Sequence, residues 1–182
     1  MTPMMKQWQN IKAKHMDCIV FFRLGDFYEM FFEDAKVASQ VLNIALTARD
    51  CGMPERAPMC GIPHHASVAY IKKLVEHGHK IAMCEQIPTQ SRGMMERQVV
   101  KIITAGTFND ESFLDAKTNN FIASFYTSGE NASVAWCDAT TGEFFAMNTQ
   151  TKNLDNIKSM ISPTEIIESN GHYGYAFSSA SA

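Results

Sequence analysis

A phenylalanine and a glutamate two residues apart, Phe27 and Glu29, follow a turn signal in the segment RLGDFYEMFFEDA. The apolar run before Gly25 and the aromatic run after Asp26 predict two strands joined by a two-residue turn, in which glycine permits positive φ. Because strand side chains alternate between faces, Phe27 and Glu29 share one face and Tyr28 lies on the other. A carboxylate is rarely buried unpaired, so this pattern predicts an aromatic ring beside a carboxylate on an exposed or ligand-binding face.

Three interpretations of this pair remain open from the residues alone. In the first, Phe27 is half-buried core and Glu29 is merely solvated, since single surface aromatics are common. In the second, the pair is a recognition surface for a ligand. In the third, the chain is a protein-interaction module and Phe27 anchors in a pocket of the partner.

Charge is distributed unevenly along the 182 residues. The net charge is −3, but the residues up to Gly106 hold 13 Lys+Arg against 10 Asp+Glu, whereas those from Thr107 onward hold 3 against 9. A mildly basic portion permits contact with a polyanion without requiring it. No apolar run is long enough to cross a bilayer, and the first residues, MTPMMKQWQNIKAKH, predict a helix rather than a signal peptide. A cytoplasmic protein with no membrane partner is therefore expected.

Five cysteines are present, an odd number without a CxxC pair, which indicates small buried apolar residues rather than disulfides: Cys18, Cys51, Cys60, Cys84 and Cys137. The histidines between Cys60 and Cys84 have no recognised zinc spacing, so no metal site is predicted. His77 and His79 flank Gly78, which is typical of the end of a helix.

The elements needed to position the pair follow from periodicity and turn signals. Helices are predicted over 3–15, 33–43 and 64–78, strands over 44–49, 79–87 and 97–104, and a loop over 50–63, which holds three prolines and two glycines. A polar stretch follows at 105–120. Beyond it come three short strands, a helix over 151–161 and the strand EIIE, whereas the tail GHYGYAFSSASA is expected to add no element. The fold class is α/β, with a second domain that is truncated.

Motifs for common catalytic sites are absent from the sequence: it contains no GxxxxGK[ST], GxSxG, HExxH or GxGxxG. A two-metal nuclease remains a minor alternative, because the strand–strand–strand–helix order could gather carboxylates. Its ligands would be Asp138 with Glu143, Glu165 or Glu168. Scattered carboxylates are usually solvated, so this alternative is the weaker one.

Five segments in order resemble the bacterial MutS family of DNA mismatch-repair proteins: TPMMKQW, FFRLGDFYEMFFEDA, PMCGIPHHA, KLVEHGHKIAMCEQ and ERQVVKIITAGT. The resemblance runs from Thr2 to about Thr107 and is weaker beyond. One departure is Ala105, where the family usually has proline. The resemblance implies a mixed-sheet mismatch-recognition domain over 1–106, a linker over 107–119 and a partial, ribonuclease-H-like connector domain over 120–182.

The resemblance also implies roles for residues. Phe27 would wedge into the duplex from the minor groove and stack on a mispaired base, to which Glu29 would hydrogen-bond. Arg49 would contact the DNA backbone and Met59 would pack near the minor groove, with Arg56 as a further contact. Mismatched double-stranded DNA, a second copy of the parent protein and downstream repair proteins are the implied partners. The segment itself would not be an enzyme or hold a cofactor; ATP and Mg²⁺ would belong to an ATPase domain of the parent protein.

Overall fold

The described residues form two sheets, and the predicted hairpin with Phe27 and Glu29 lies in the larger one. In the computed structural model, which describes residues 1–88, 95–108, 119–169 and 175–178, the chain divides into two compact units, Met1–Ile103 and Thr104–Ala182. Each unit has its own mixed sheet, so the predicted α/β class is confirmed. The ribonuclease-H-like layout of the second unit stays a prediction. None of the helices in the described ranges is long and apolar enough to cross a membrane.

The described residues of the first unit form three α-helices and six strands. The helices are α1 (Pro3–Lys12), α2 (Phe32–Leu42) and α3 (Ser67–Glu76). The strands are β1 (Cys18–Leu24), β2 (Phe27–Phe31), β3 (Thr47–Arg49), β4 (Ala57–Pro63), β5 (Lys80–Ile87) and β6 (Glu96–Ile103). Their order in the sheet is β3-β4-β2-β1-β5-β6, and only the β1–β5 pair is parallel.

Helices cover both faces of this sheet. On one face, α1 places Met5 and Trp8 against alternate residues of β1 and against Phe31 of β2. On the other, α2 packs on β2 and β4 and contacts α3, which packs on β5. Trp8 contacts Phe31 and Phe32 with ring centroids 5.8 and 5.2 Å apart. The apolar core of the unit therefore lies on both sides of the strands that lead to the hairpin.

Local signals predicted the helix ends. The Thr2 hydroxyl accepts a hydrogen bond from the Met5 amide at 3.4 Å and Pro3 is the first helical residue, so the predicted start of α1 is confirmed. At the end of α3, Gly78 has φ +81° and the His79 amide donates to the Leu74 carbonyl. The chain reverses there because glycine tolerates left-handed backbone.

The loop predicted over 50–63 is wrong in its second half, because residues 57–63 form β4 between β3 and β2. Its two prolines occupy the two ends of the strand. Pro58 lies opposite Ala48 of β3 only, and Pro63 lies opposite Phe27 of β2 only. Proline lacks an amide donor, and at each of these positions β4 pairs with one neighbour, which leaves a side without a partner strand where a donor is not needed.

Within its described ranges, the second unit has five strands and one α-helix: β7 (Phe121–Ser128), β8 (Asn131–Asp138), β9 (Phe144–Gln150), α4 (Leu154–Ile161), β10 (Glu165–Ser169) and β11 (Tyr175–Ser178). The sheet order is β11-β10-β7-β8-β9, with β10 parallel to β7 and the other pairs antiparallel. Ile157 and Ile161 of α4 pack with Val134 of β8.

The prediction that the tail adds no element is wrong, since Tyr175–Ser178 pairs with β10. Tail residues 171–174 and 179–182 lie outside the described residues, as does most of the predicted linker, residues 109–118. The cysteine prediction is confirmed for the first unit: its four cysteines are buried free thiols. Cys137 is also free but only half-buried.

Candidate nucleic-acid interface

The tip of the β1–β2 hairpin is a two-residue turn. Leu24 lies opposite Phe27, and Gly25 between them has φ +58°, the positive value that the sequence predicts. The His64 amide donates a hydrogen bond to the Asp26 carbonyl at 2.9 Å, which ties the turn to the end of β4. The hairpin is thus held at its tip as well as along its strands.

Phe27 stands exposed at this tip. Its side chain is 47% exposed, whereas the next residue, Tyr28, is 5% exposed and Met30 is fully buried. The predicted alternation of faces along β2 is therefore confirmed. Phe27 lies between Leu24 of β1 and Pro63 of β4 in the sheet, so two apolar neighbours flank the ring at its base.

Glu29 lies two residues from Phe27 on the same face. It stands between Phe22 of β1 and Gly61 of β4, and its side chain is only 15% exposed. Its Oε2 accepts a hydrogen bond from Nη1 of Arg49 at 2.5 Å. The alternation of the strand predicted an exposed or ligand-binding face for Glu29, and nothing in the sequence indicated this ion pair.

The ion pair crosses a strand, since β4 lies between β3, which carries Arg49, and β2, which carries Glu29. Gly61 is the β4 residue opposite Glu29, and a Cβ atom placed on it would lie 3.5 Å from the Glu29 Cγ. Glycine therefore leaves room beside the Glu29 side chain, whereas Arg49 lies opposite Ala57, four residues earlier in β4.

The opposite face of the hairpin is braced by polar contacts. The Tyr28 hydroxyl donates to the Glu85 carboxylate of β5. Nη1 of Arg23 lies 3.9 Å from Glu85 Oε2, and the Arg23 guanidinium is 5.5 Å from the Tyr28 ring centroid. Burial, together with the hydrogen bond to Glu85, raises the pKa of Tyr28 to about 12, so the phenol stays protonated and keeps donating. Arg23 thus pairs with Glu85 of the neighbouring strand β5, and its Nε donates to the Gly25 carbonyl in the turn.

Arg97 is a buried arginine that lies beside the site and was not predicted from the sequence. Its guanidinium lies 4.9 Å from the Phe22 ring centroid and donates to the carbonyls of Arg23 and Met95 and to the Gln7 side chain of α1. Burial lowers its pKa. Arg97 shares a face of β6 with Val99, so an arginine on an apolar strand face was the available signal.

The remaining predicted contacts lie farther from the tip. Met59 is half-buried against the core and lies opposite Phe31, four residues along β2 from Phe27. Arg56 is exposed just before β4 and makes no ion pair with any described residue. The structure therefore brings Phe27, Glu29 and Arg49 onto one surface, with Met59 at its edge.

Two carboxylates of the nuclease alternative, Asp138 and Glu165, have structural partners, whereas the Glu168 side chain lies outside the described part of the structure. Asp138 accepts hydrogen bonds from Asn120, Thr140 and Thr141. Glu165 accepts one from the Gly106 amide at 3.0 Å. Within the described part of the chain, no group of three or more His, Cys, Asp or Glu residues could hold a metal ion.

Comparison with known proteins agrees with the resemblance found in the sequence. The family model described as MutS domain I matches residues 2–112. The chain is 53% identical over 172 residues to the DNA mismatch repair protein MutS of Clostridium botulinum (strain Loch Maree / Type A3), which covers 92% of this chain and 18% of the relative. It is 49% identical over 172 residues to that of Clostridium tetani (strain Massachusetts / E88), which covers 92% and 19%. The chain thus spans less than a fifth of the length of these relatives. On both comparisons, the chain belongs to the MutS family.

Proposed function

We propose that the chain recognises mispaired or unpaired bases in double-stranded DNA and so initiates mismatch repair. Phe27 enters the duplex from the minor groove and stacks on the mispaired base, and Glu29 hydrogen-bonds to that base. The observation that carries this proposal is the exposed Phe27 ring at the hairpin tip, with the Glu29 carboxylate recessed two residues behind it on the same face.

The free-energy cost of inserting Phe27 favours insertion at weakened base pairs. Inserting an apolar side chain between base steps costs about a few kcal/mol of unstacking and kinks the duplex. A mismatch has already lost pairing and stacking energy, so the same distortion costs less there. Discrimination then depends on deformability rather than on a code of base edges.

The Glu29 carboxylate provides a second way to distinguish mismatched from matched DNA. Close to backbone phosphates, Glu29 is repelled unless it keeps a hydrogen-bond donor, which is Arg49 in the DNA-free protein, or takes up a proton. A mispaired base offers a free edge, whereas the edges of a normal pair are occupied. Glu29 therefore disfavours matched DNA more than it disfavours mismatched DNA.

Three residues support the pair in this proposal. Arg49 and Arg56 contact backbone phosphates, and Met59 packs near the minor groove. Arg49 is 39% exposed beside Glu29, and Arg56 is exposed before β4, so both guanidinium groups are accessible to a phosphate. Because the basic excess of the segment is small, few phosphates are neutralised and binding by this segment alone is weak.

The rest of the activity is assigned to a longer parent protein, in keeping with the length of the relatives. In this proposal residues 1–106 form the recognition domain, 107–119 the linker and 120–182 the start of a connector domain with a ribonuclease-H-like layout. ATP hydrolysis with Mg²⁺, the homodimer contacts and the downstream repair partners belong to the parent protein. It acts in the cytoplasm, on the nucleoid.

The test is a fluorescence-anisotropy titration of the parent protein at one fixed salt concentration, with matched, G·T and unpaired-T duplexes. Phe27→Ala is expected to lose mismatch preference while still binding matched DNA. Stacking of a base on an aromatic side chain contributes about 1–3 kcal/mol, so the loss is about 5- to 150-fold.

Phe144→Ala is the matched control, because Phe144 is an exposed phenylalanine on a strand of the second unit. It is expected to keep the preference. If Phe27→Ala retains full mismatch preference, Phe27 is core or a partner anchor and the proposal is wrong.

A further inference from the structure

The two members of the Glu29–Arg49 ion pair are unequally accessible. The Glu29 side chain is 15% exposed and the Arg49 side chain is 39% exposed, although their charged atoms are 2.5 Å apart. An approaching phosphate therefore reaches the guanidinium before anything reaches the carboxylate. Among the described residues, Glu29 is the one acidic partner of Arg49, and a phosphate would compete with it.

The carboxylate cannot lose this partner without a replacement. Glu29 lies behind Phe27 on the same face, so insertion of the ring brings it into a desolvated environment close to the base step. An anion there, without a donor, is strongly disfavoured. A mispaired base that donates to Glu29 would supply the replacement, whereas a matched pair would not.

We propose that Arg49 is a specificity-determining residue that exchanges partners: it neutralises Glu29 in the DNA-free protein and on matched DNA, and it transfers to a backbone phosphate when a mispaired base becomes the partner of Glu29. This inference rests on the proposed function and deepens it. Arg49 thereby couples base reading to backbone contact, because the phosphate contact forms only when the base has replaced the guanidinium.

Salt dependence measures this exchange. The slope of log K against log salt concentration becomes steeper by about 0.9 for each phosphate that the protein neutralises in B-DNA. The experiment determines this slope in the parent protein for a matched and a G·T duplex of the same length. The variants are Arg49→Gln, Glu29→Gln and the matched control Arg56→Gln.

The exchange predicts a selective effect. Arg49→Gln makes the slope shallower by about 0.9 on G·T DNA and leaves the slope on matched DNA unchanged. Glu29→Gln releases Arg49 to contact a phosphate everywhere, so the slope on matched DNA becomes steeper by about 0.9. Arg56→Gln, which removes a charge without an acidic partner among the described residues, changes both slopes equally.

Two results would overturn the exchange. If Arg49→Gln changes both slopes equally, Arg49 is a permanent phosphate contact; if it changes neither, the residue contacts no phosphate. A different observation tests the proposed function. If that function is wrong, the wild-type protein shows no preference for G·T over matched DNA. If the wild-type protein prefers G·T DNA and Arg49→Gln changes the salt slope equally on both duplexes, the partner exchange is wrong and the proposed function stands.

Discussion

At Glu29, a neighbouring residue without a side chain leaves room for the carboxylate. Gly61 lies opposite Glu29 in β4, and a larger residue there would crowd the Glu29 side chain, which pairs with Arg49. A Cβ there would lie 3.5 Å from Glu29 Cγ and 3.5 Å from the Tyr28 carbonyl, which are ordinary van der Waals distances. Alanine therefore fits, whereas the two γ-methyl groups of valine would occupy the space over the strand.

We expect Gly61→Ala to preserve mismatch preference and Gly61→Val to weaken it about tenfold, the equivalent of about 1.4 kcal/mol. The valine would not destabilise the strand, because β-branched residues favour this conformation. The measurement is the ratio of Kd values for matched and G·T DNA in the parent protein, with a thermal melt of each variant. Equal preference in the valine and alanine variants would show that the space over β4 is not required.

At the scale of elements, a buried ion pair joins two helices to the start of β1, the first strand of the hairpin. Lys12 of α1 donates to Asp34 of α2 at 2.7 Å and to the Cys18 carbonyl at 2.6 Å, and the Val20 amide donates to the second Asp34 oxygen at 3.0 Å. Asp34 is 6% exposed, and burial raises its pKa although Lys12 and Val20 oppose the shift.

Removing the cation should leave an uncompensated buried carboxylate. We expect Lys12→Met to lower the free energy of unfolding at pH 7 by about 3 kcal/mol. Lys6→Met is the matched control, since Lys6 is exposed on the same helix, and its effect should stay within about 0.5 kcal/mol. The measurement is urea unfolding of the first unit, followed by Trp8 fluorescence in a Trp136→Phe background.

The loss of unfolding free energy in Lys12→Met should become smaller as the pH falls. The pKa of Asp34 already lies above its ordinary 3.8, and loss of Lys12 raises it further. As the pH falls, the carboxyl group takes up a proton and no longer needs a cation, so the difference between wild type and Lys12→Met should narrow. A deficit that is constant down to pH 4 would mean that lost packing, rather than the unpaired charge, destabilises the variant.

At the scale of the whole molecule, each of the two units holds one of the two tryptophans. Trp8 lies in the core of the first unit, and its Nε1 has no hydrogen-bond partner among the described residues. Trp136 stacks on Phe145 in the second unit, with ring centroids 5.3 Å apart. Trp8→Phe therefore removes no hydrogen bond, and in that background fluorescence reports the second unit alone.

Asp138 provides a test of what stabilises this second unit. Burial opposes its ionisation, but hydrogen bonds from Thr140, Asn120 and Thr141 outweigh burial and lower its pKa. Its stabilising contribution is therefore present above pH 3.8 and is lost as the pH falls through the lowered pKa of the folded state. We expect Asp138→Ala to cost about 2 kcal/mol at neutral pH, with the deficit shrinking only below pH 3.8.

Urea unfolding of the Trp8→Phe protein, followed by Trp136, measures this deficit. Glu130→Ala is the control, because Glu130 is exposed in the same unit. A metal-ligand role would give the opposite sign, since removing one of several mutually repelling carboxylates stabilises a metal-free protein. Stabilisation by Asp138→Ala would therefore revive the nuclease alternative and contradict a structural role.

Much of the local structure was predictable because its causes lie within a few residues. The cap at Thr2, the turn at Gly25 and the shared face of Phe27 and Glu29 follow from side-chain chemistry and the two-residue period of a strand. The ordered segments of the family likewise predicted the kind of domain. These features need no knowledge of which strands become neighbours.

Tertiary structure alone decided what surrounds the pair. Residues 57–63 form a strand, despite two prolines, because β2 and β3 pair with them from elsewhere in the chain. That pairing brings Arg49 of β3 to Glu29 of β2. Glu85 contacts Tyr28 on the opposite face of the hairpin, and Arg97 packs on Phe22, the β1 residue opposite Glu29. The physical reason is the distance along the chain over which each effect acts. Propensity and periodicity act over a few residues. Ion pairs and burial depend on strand order, which only the folded sheet establishes.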